Sequence, residues 1–321
     1  MSDQGAWHQR RERGSLLGMR IVAWFYRWIG WHVAHLFVYP VVTYFFLTDH
    51  AGRRSSLEYL RRVRAAGASD LNRDLTLRDA YRHYLEFGTT ILDRIGFWLA
   101  RREDFDFSVK GGEALDWVVE EGRGAVVLGS HLGSFDAMRL VAAMRSPIGI
   151  KVMMYTQHAA RINEIFRQMG EISGSNATVG VISVEPGSLS HVLEVKRAIA
   201  RGEVVAILAD RLHPGERARG VDVEFLGAPV SLPQGPFLMA AALGCPVLVM
   251  AGLRAGNRKY EIHVERFADP LKIPRRDRAG QLQYHAQSYA DWLARLCTVA
   301  PYQWFNFYDY WDLESPKTAP K

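Results

Sequence analysis

The chain has 321 residues and is 48% hydrophobic, enough apolar material for one large packed domain or two small ones, and too much for a disordered chain. Its 40 Lys and Arg exceed its 34 Asp and Glu, giving a formal charge of +6 and a pI near 9.3, which favours acidic partners: anionic lipid, phosphate groups or an acidic carrier protein. No zinc-finger spacing, helix-turn-helix signature or aromatic RNA-binding consensus occurs, which sets nucleic acid aside. The two cysteines, Cys245 and Cys297, each lie in an apolar segment and read as core thiols of a reducing compartment, with no metal cluster.

Residues 1–20 form a basic tail. From Trp28 to Thr48 the stretch "WIGWHVAHLFVYPVVTYFFLT" carries no Asp, Glu, Lys or Arg, the length and composition of a bilayer span. Aromatic residues cluster at both ends, Trp24, Phe25, Tyr26, Trp28 and Trp31 at one and Tyr44, Phe45 and Phe46 at the other, as at membrane interfaces. The apolar run is long and "LTDHAG" matches a small-residue cleavage site poorly, so it does not read as a cleaved signal. Arginines flank it on both sides, Arg10, Arg11, Arg13, Arg20 and Arg27 before and Arg53, Arg54, Arg61, Arg62 and Arg64 after, so the positive-inside rule casts no vote for a single crossing. With Pro40 expected to kink or break the helix, the favoured reading is a bent segment that enters and returns, or lies along, one cytoplasmic leaflet. A single span and a buried helix of a soluble domain are the alternatives.

Two further stretches, "AGRRSSLEYLRRVRAAGASD" and "TLRDAYRHYLEFGTTILDRIGFWLA", repeat apolar residues at helical spacing, the second through Tyr81, Tyr84, Leu85, Phe87, Gly88 and Ile91. Residues 21–104 therefore read as a helical, membrane-associating region. Beyond them, over 105–312, short apolar runs ("AVVLGS", "IGIKVMMY", "TVGVIS", "VVAILAD", "CPVLVMAGL", "KYEIHVERF") alternate with amphipathic stretches ("NEIFRQMG", "LSHVLEVKRAIARG", "GPFLMAAALG"). That alternation predicts an α/β domain with a central, largely parallel sheet flanked by helices. The period-two pattern of "KYEIHVERF" predicts an edge or antiparallel strand, and residues 313–321 a loose tail.

In such a sheet ligands bind beyond the carboxyl ends of the strands, so the residues that follow the apolar runs converge there: Gly129, Ser130 and His131; Tyr155, Thr156 and Gln157; Asp210 and Arg211. His131 is bracketed by Gly129 and Gly133, which permit a tight turn. If Ser134 caps the following helix, Asp136 lies in its first turn, from where it can reach the Nδ1 of His131 and leave Nε2 as a general base. "GSHLG" is not a nucleophile elbow, because its central residue is His131 and Ser130 comes one place early. The simplest chemistry is then direct: His131 deprotonates a hydroxyl or amine that attacks an acyl donor, with no covalent intermediate. A purely structural histidine, with Asp136 an ordinary helix-terminal anion, is the alternative.

The motif "HLGSFD", His131 to Asp136, is the H-x4-D/E signature of the lysophospholipid acyltransferase superfamily, which the chain resembles, and within it the bacterial lipid A biosynthesis acyltransferases. Further blocks follow in order: "VVAILADR" with Asp210 and Arg211; "VEFLGAPVSLPQGP" with Phe225, Gly227, Pro229, Pro233, Gln234, Gly235 and Pro236; "LGCPVLVM" with Pro246 and Val247; and the closing "PYQWFNFYDYW". This resemblance implies a membrane-associated acyltransferase at the cytoplasmic face of a bacterial inner membrane. It would take an acyl chain from acyl carrier protein or coenzyme A to a lipid or glycolipid-type acceptor, without a cofactor.

His131 and Asp136 are the implied catalytic pair. The Gly133 turn and Arg211 are the candidate oxyanion or phosphate donors, with Asp210 orienting Arg211 or binding polar groups of the acceptor. Arg139, Asn163, Phe225, Gly227, Gln234 and Gly235 are further candidate substrate-binding residues, and His213 is the one other histidine near the crevice. The lipid A enzymes commonly carry glutamate at the position of Asp136 and a basic ending. The "NFYDYW" close is more similar to acyltransferases linked to aryl polyene pigments, which leaves the acceptor open. A thioesterase or lipase that uses the same pair to activate water, and a non-catalytic membrane-binding protein of this fold, are the competing readings. The missing serine elbow weighs against the first, and the intact histidine and carboxylate against the second.

Overall fold

The computed structural model describes residues 26, 28, 30–98, 102–145, 149–155, 180–184, 190–212 and 219–311. Thr156, Gln157, Asn163, His213, the amphipathic stretch "NEIFRQMG" and the arginines of the first 27 residues lie outside them.

Seven strands form the central sheet: β1 (Asp106–Lys110), β2 (Ala125–Gly129), β3 (Ile150–Tyr155), β4 (Gly180–Val184), β5 (Val204–Leu208), β8 (Val247–Gly256) and β9 (Lys259–Ala268). Their order is β1-β9-β8-β2-β5-β3-β4, and every neighbouring pair is parallel except β8 with β9. β2 sits at the centre with all five residues buried, which is why "AVVLG" reads as an unbroken apolar run and not as an alternation. "KYEIHVERF" is β9; it is antiparallel to β8 but lies inside the sheet, because β1, whose "DFSVK" is too short and mixed to stand out, covers its other edge. A separate antiparallel hairpin, β6 (Gly220–Phe225) and β7 (Ala228–Pro233), occupies the "VEFLGAPVSLP" block.

Helices cover both faces. Among the described residues they are, in chain order, α1 (Trp31–Thr48), α2 (His50–Ala65), α3 (Leu77–Trp98), α4 (Glu113–Glu120), α5 (Phe135–Arg145), α6 (Ser190–Ala200), α7 (Gly235–Leu243) and α8 (Arg278–Val299). On one face Val126, Leu128, Val205 and Ile207 pack with Tyr59, Leu60 and Val63 of α2, Phe237 of α7 and Tyr289, Leu293 and Leu296 of α8. On the other, Val127, Ala206, Leu248 and Ile262 pack with Leu92 and Ile95 of α3, Met138 and Val141 of α5, and Trp31, Val38 and Val42 of α1. The stretch expected to serve the membrane thus also supplies core residues on both sides of the sheet. Cys245 and Cys297 are free and buried.

Pro40 does not break α1, which runs through it as one helix and ends at Asp49, whose carboxylate accepts from the Gly52 N–H at 3.0 Å. α1 is long and apolar enough to cross a membrane, but it lies along α3. Gly88 provides the groove: a Cβ there would stand 2.5 Å from Val42 Cγ2 and 3.0 Å from Val38 Cγ1. The remaining turns of α1 leave Leu36, Phe37, Val41, Tyr44 and Leu47 facing out, with Leu36 65% and Leu47 62% exposed. A contiguous apolar face of this kind marks a partner or membrane surface.

α3 has an unusual inner face. Asp79, His83, Thr89, Thr90 and Asp93 are all buried on it, while Phe87 is exposed. Asp93 joins three elements, accepting from Trp31 Nε1 at 2.6 Å and from the Tyr260 hydroxyl of β9 at 2.7 Å. Burial raises its carboxyl to about 6 in spite of those two donors. The native state therefore holds this proton to a higher pH than the unfolded chain does, so stability falls as pH rises from about 4 to about 6 and then levels. Replacing Asp93 by Asn should remove roughly 3 kcal/mol of that decline. Urea unfolding across that pH range measures it, and an unchanged slope in the variant contradicts the assignment.

Candidate active site

β2 and β5 are parallel neighbours in the register Val126↔Val205 to Gly129↔Leu208. Carried two residues past their carboxyl ends, that register sets His131 opposite Asp210. The pair forms: His131 Nδ1 lies 2.8 Å from Asp210 Oδ1, and the His131 backbone N–H donates to Oδ2 at 2.9 Å. A carboxylate on Nδ1 fixes the ring with its proton on that nitrogen and leaves Nε2, unbonded among the described residues, as the basic atom. The His131 side chain is 28% exposed and that of Asp210 fully buried.

This corrects the expectation for Asp136. Ser134 does cap α5, its hydroxyl accepting from the Ala137 N–H at 3.2 Å, and Asp136 does lie in the first turn. But its side chain is drawn to two arginines: Arg94 Nε of α3 at 2.6 Å and Arg139 Nε, one turn along α5, at 3.7 Å. Sequence proximity favoured Asp136 as the partner of His131, whereas strand register supplies Asp210. Arg139 accordingly serves Asp136.

The other expected donors are also engaged. Gly133 adopts φ 71°, and a Cβ there would meet the Gly252 carbonyl oxygen at 2.2 Å, so glycine is required by the close approach of β8. Its N–H donates to the Gln303 carbonyl at 2.8 Å, and the next one, on Ser134, to the Gly252 carbonyl at 2.7 Å. The expected role of the Gly133 N–H as an oxyanion donor therefore does not hold in this geometry. Arg211 donates to Asn306 Oδ1 at 2.6 Å and the Phe305 carbonyl at 2.8 Å, which ties it to the chain's closing segment and not to an open anion site. Asp210 orients His131 and not Arg211.

Ser130 is only 3% exposed and its hydroxyl accepts from the Leu132 N–H at 3.2 Å, so it is turned inward and is no nucleophile. Phe225 is buried against Trp304 and Trp311. Gly227 turns the hairpin with φ 75°, beside Gln283 and Gln287. Gln234 and Gly235 start α7. No hydrogen bond or ion pair among the described residues links Gly227, Gln234 or Gly235 to His131.

Sequence reasoning missed the closing segment's part in the site. Residues 302–306 and 310 are buried, and Trp304 Nε1 donates to Asp210 Oδ2 at 3.1 Å while the Tyr310 hydroxyl donates to the Asp210 carbonyl at 2.6 Å. It also missed Arg94, close enough for its charge to act on His131. Aligning "VVLGSH" with "VAILAD" as neighbouring strands would have paired His131 with Asp210; no comparable local signal marks Arg94.

Burial and the Arg211 charge push the His131 imidazole below its ordinary value of 6.5, while Asp210 pulls it back up. Burial alone would raise the Asp210 carboxyl, but the His131 ring, the Arg211 charge and the His131 N–H hold it well below the carboxylate range. The site is thus a neutral imidazole on an ionised carboxylate, with no serine, threonine or cysteine hydrogen-bonded to the ring among the described residues.

A seven-stranded α/β sheet thus presents a histidine–carboxylate pair at a strand's carboxyl end, with the neighbouring Ser130 turned inward. The model of the bacterial lipid A biosynthesis acyltransferase family matches residues 68–312, and the chain belongs to that family; it is an acyltransferase. None of the curated proteins matches it.

The two carboxylates should separate on substitution. Asp210→Asn, which loses the charge and replaces one accepting oxygen by an NH2 among donors, should lower kcat by about 10²- to 10⁴-fold. Asp136→Asn leaves Arg94 and Arg139 without their carboxylate and should mainly cost stability, on the order of 3 kcal/mol. Steady-state kinetics and thermal melts on both variants read the difference, and the reverse pattern would return the partner role to Asp136.

Proposed function

We propose that the chain transfers an acyl group from acyl carrier protein to a hydroxyl or amine of a lipid or glycolipid acceptor, at the cytoplasmic face of a bacterial inner membrane. The His131–Asp210 contact carries the reading. Nε2 takes the proton of the acceptor O–H or N–H as that atom attacks the thioester carbonyl. The C–S bond breaks, and the imidazolium, stabilised by Asp210, returns the proton to the departing thiolate. No acyl-enzyme forms, in accord with the inward-turned Ser130. Since the base must be neutral and its imidazole is depressed, kcat/KM should fall only below about pH 6.5, the ordinary histidine value. His131→Ala should abolish transfer in a folded protein; full transfer by that variant ends the reading. Thioester consumption without an acceptor would instead favour the hydrolase. Mass spectrometry of the lipids and pigments lost on deletion separates a lipid A acceptor from an aryl polyene.

α1 supports a monotopic attachment and not a single span. Its packing on Gly88 keeps it beside α3, whose Arg78, Asp79, Arg82, Glu86, Asp93 and Arg94 do not suit a bilayer core, and the exposed Leu36, Val41, Tyr44 and Leu47 of its other side enter one leaflet. Leu36→Ser with Leu47→Ser should weaken flotation with anionic vesicles while leaving transfer to a detergent-solubilised acceptor intact.

For the donor, α2 carries Arg54 and Arg61, 68% and 58% exposed, while Arg53 is engaged at the carbonyls of Phe46 and Leu47 that end α1. Charge reversal at Arg54 and Arg61 should raise KM for an acyl carrier protein, which is acidic, more than for a small acyl thioester. Equal effects on both would remove the docking role.

A further inference from the structure

The closing segment grips both halves of the base. The Phe305 N–H donates to the His131 carbonyl at 3.0 Å, and Leu132 and Trp304 form an antiparallel bridge, so the His131 loop is zipped to residues 303–305. Trp304 then reaches the partner: its indole N–H meets Asp210 Oδ2, the oxygen that also accepts the His131 backbone N–H, while Oδ1 is left for the His131 ring. Two donors on one oxygen fix the plane of the carboxylate. A rotation that released Oδ1 from the ring would break both.

The indole itself is enclosed. Trp304 is fully buried, ringed by Tyr59, Phe225, Tyr310 and Trp311. Its carbonyl accepts from His83 Nε2 at 3.0 Å, and His83 Nδ1 meets the Ser56 hydroxyl at 2.9 Å. Burial holds His83 neutral, with its ring pushed down to about 3, so this support does not titrate under working conditions.

We propose that Trp304 is a positioning residue, acting through Asp210 to set the orientation and basicity of His131. The inference rests on the reading of His131 as the general base. Other charged or titratable groups face the pair: Arg211 after β5, Arg94 on α3, Tyr289 and Cys297 on α8, and Tyr308 and Tyr310 of the closing segment. None of the three tyrosines nor the thiol is ionised near neutral pH, since burial raises all of them. A change in the acidic limb of the profile on altering Trp304 therefore reports the pair itself.

The test removes the N–H and keeps an aromatic ring in its place. Trp304→Phe, and site-specific replacement of Trp304 by 3-benzothienylalanine, which has sulfur in place of N–H at the same shape, are compared with Val63→Ala, a core truncation in the same cluster. Loss of the donor leaves more negative charge on Asp210, which raises the His131 imidazole. Both Trp304 variants should lose about 10- to 100-fold in kcat/KM, the size of one hydrogen bond to an ionised group, and the acidic limb of the pH profile should move upward. The His131 Nδ1–H resonance in a ¹⁵N-histidine-labelled sample should shift as well, a readout that needs no turnover.

Val63→Ala should lower the melting temperature and move neither limb nor resonance. A folded benzothienylalanine protein with wild-type profile and resonance overturns the inference, as does an equal shift in Val63→Ala. If His131→Ala is active, it is the base reading that fails, and the resonance still reports whether Trp304 acts on Asp210.

Discussion

A single buried anion organises this molecule. Asp210 has no exposure to water, and a carboxylate in that position persists only if enough donors converge on it. They come from three places in the chain: the ring and backbone of His131 after β2, the indole of Trp304, and the charge of the adjacent Arg211. The Tyr310 hydroxyl adds a further hydrogen bond, on the residue's own carbonyl. Removing any one leaves the rest facing an under-satisfied charge in a low dielectric, so the closing segment, the His131 loop and the end of β5 are energetically one unit.

That convergence explains the layout around it. β2 and β5 must be adjacent and parallel, with both ends at the same level, for His131 and Asp210 to meet. The closing segment must return to the carboxyl edge after α8, which it does by pairing Gln303 with β8: the side-chain amide of Gln303 both accepts from the Arg254 N–H and donates to the Arg254 carbonyl, at 2.7 Å each. Arg254 in turn is held by Glu86 of α3 at 2.7 Å. The closing segment is thereby stitched to α3 through the sheet, and its aromatics Tyr302, Trp304 and Tyr310 are part of the buried core.

The sheet was legible because its parallel strands are buried on both sides and stand out as short apolar runs, and the convergence of His131, Asp210 and Arg211 followed from topology. The assignment of partners was not. Spacing within "HLGSFD" made Asp136 the neighbour of His131 in sequence, but a residue at the second position of a helix points its side chain by the helix's own rotation, here toward Arg94, whereas register across two strands carries no marker in a single local window. α3 misled for a related reason. Its core face carries Asp79, His83 and Asp93, each satisfied by a partner distant in sequence, so its hydrophobic periodicity underestimates what is inside. Trp304 looked like one more aromatic until the atom at the end of its N–H was known.

Helix α3 carries two features at a fixed distance: the Gly88 groove that seats α1, and Arg94, which holds Asp136 beside the His131 loop. Six residues of helix separate them, about 9 Å along the axis. One helix thus carries both the seat of the apolar α1 and an arginine whose charge reaches His131, so a shift of α1 against α3 would be felt at His131 as a change in the position of a neighbouring positive charge.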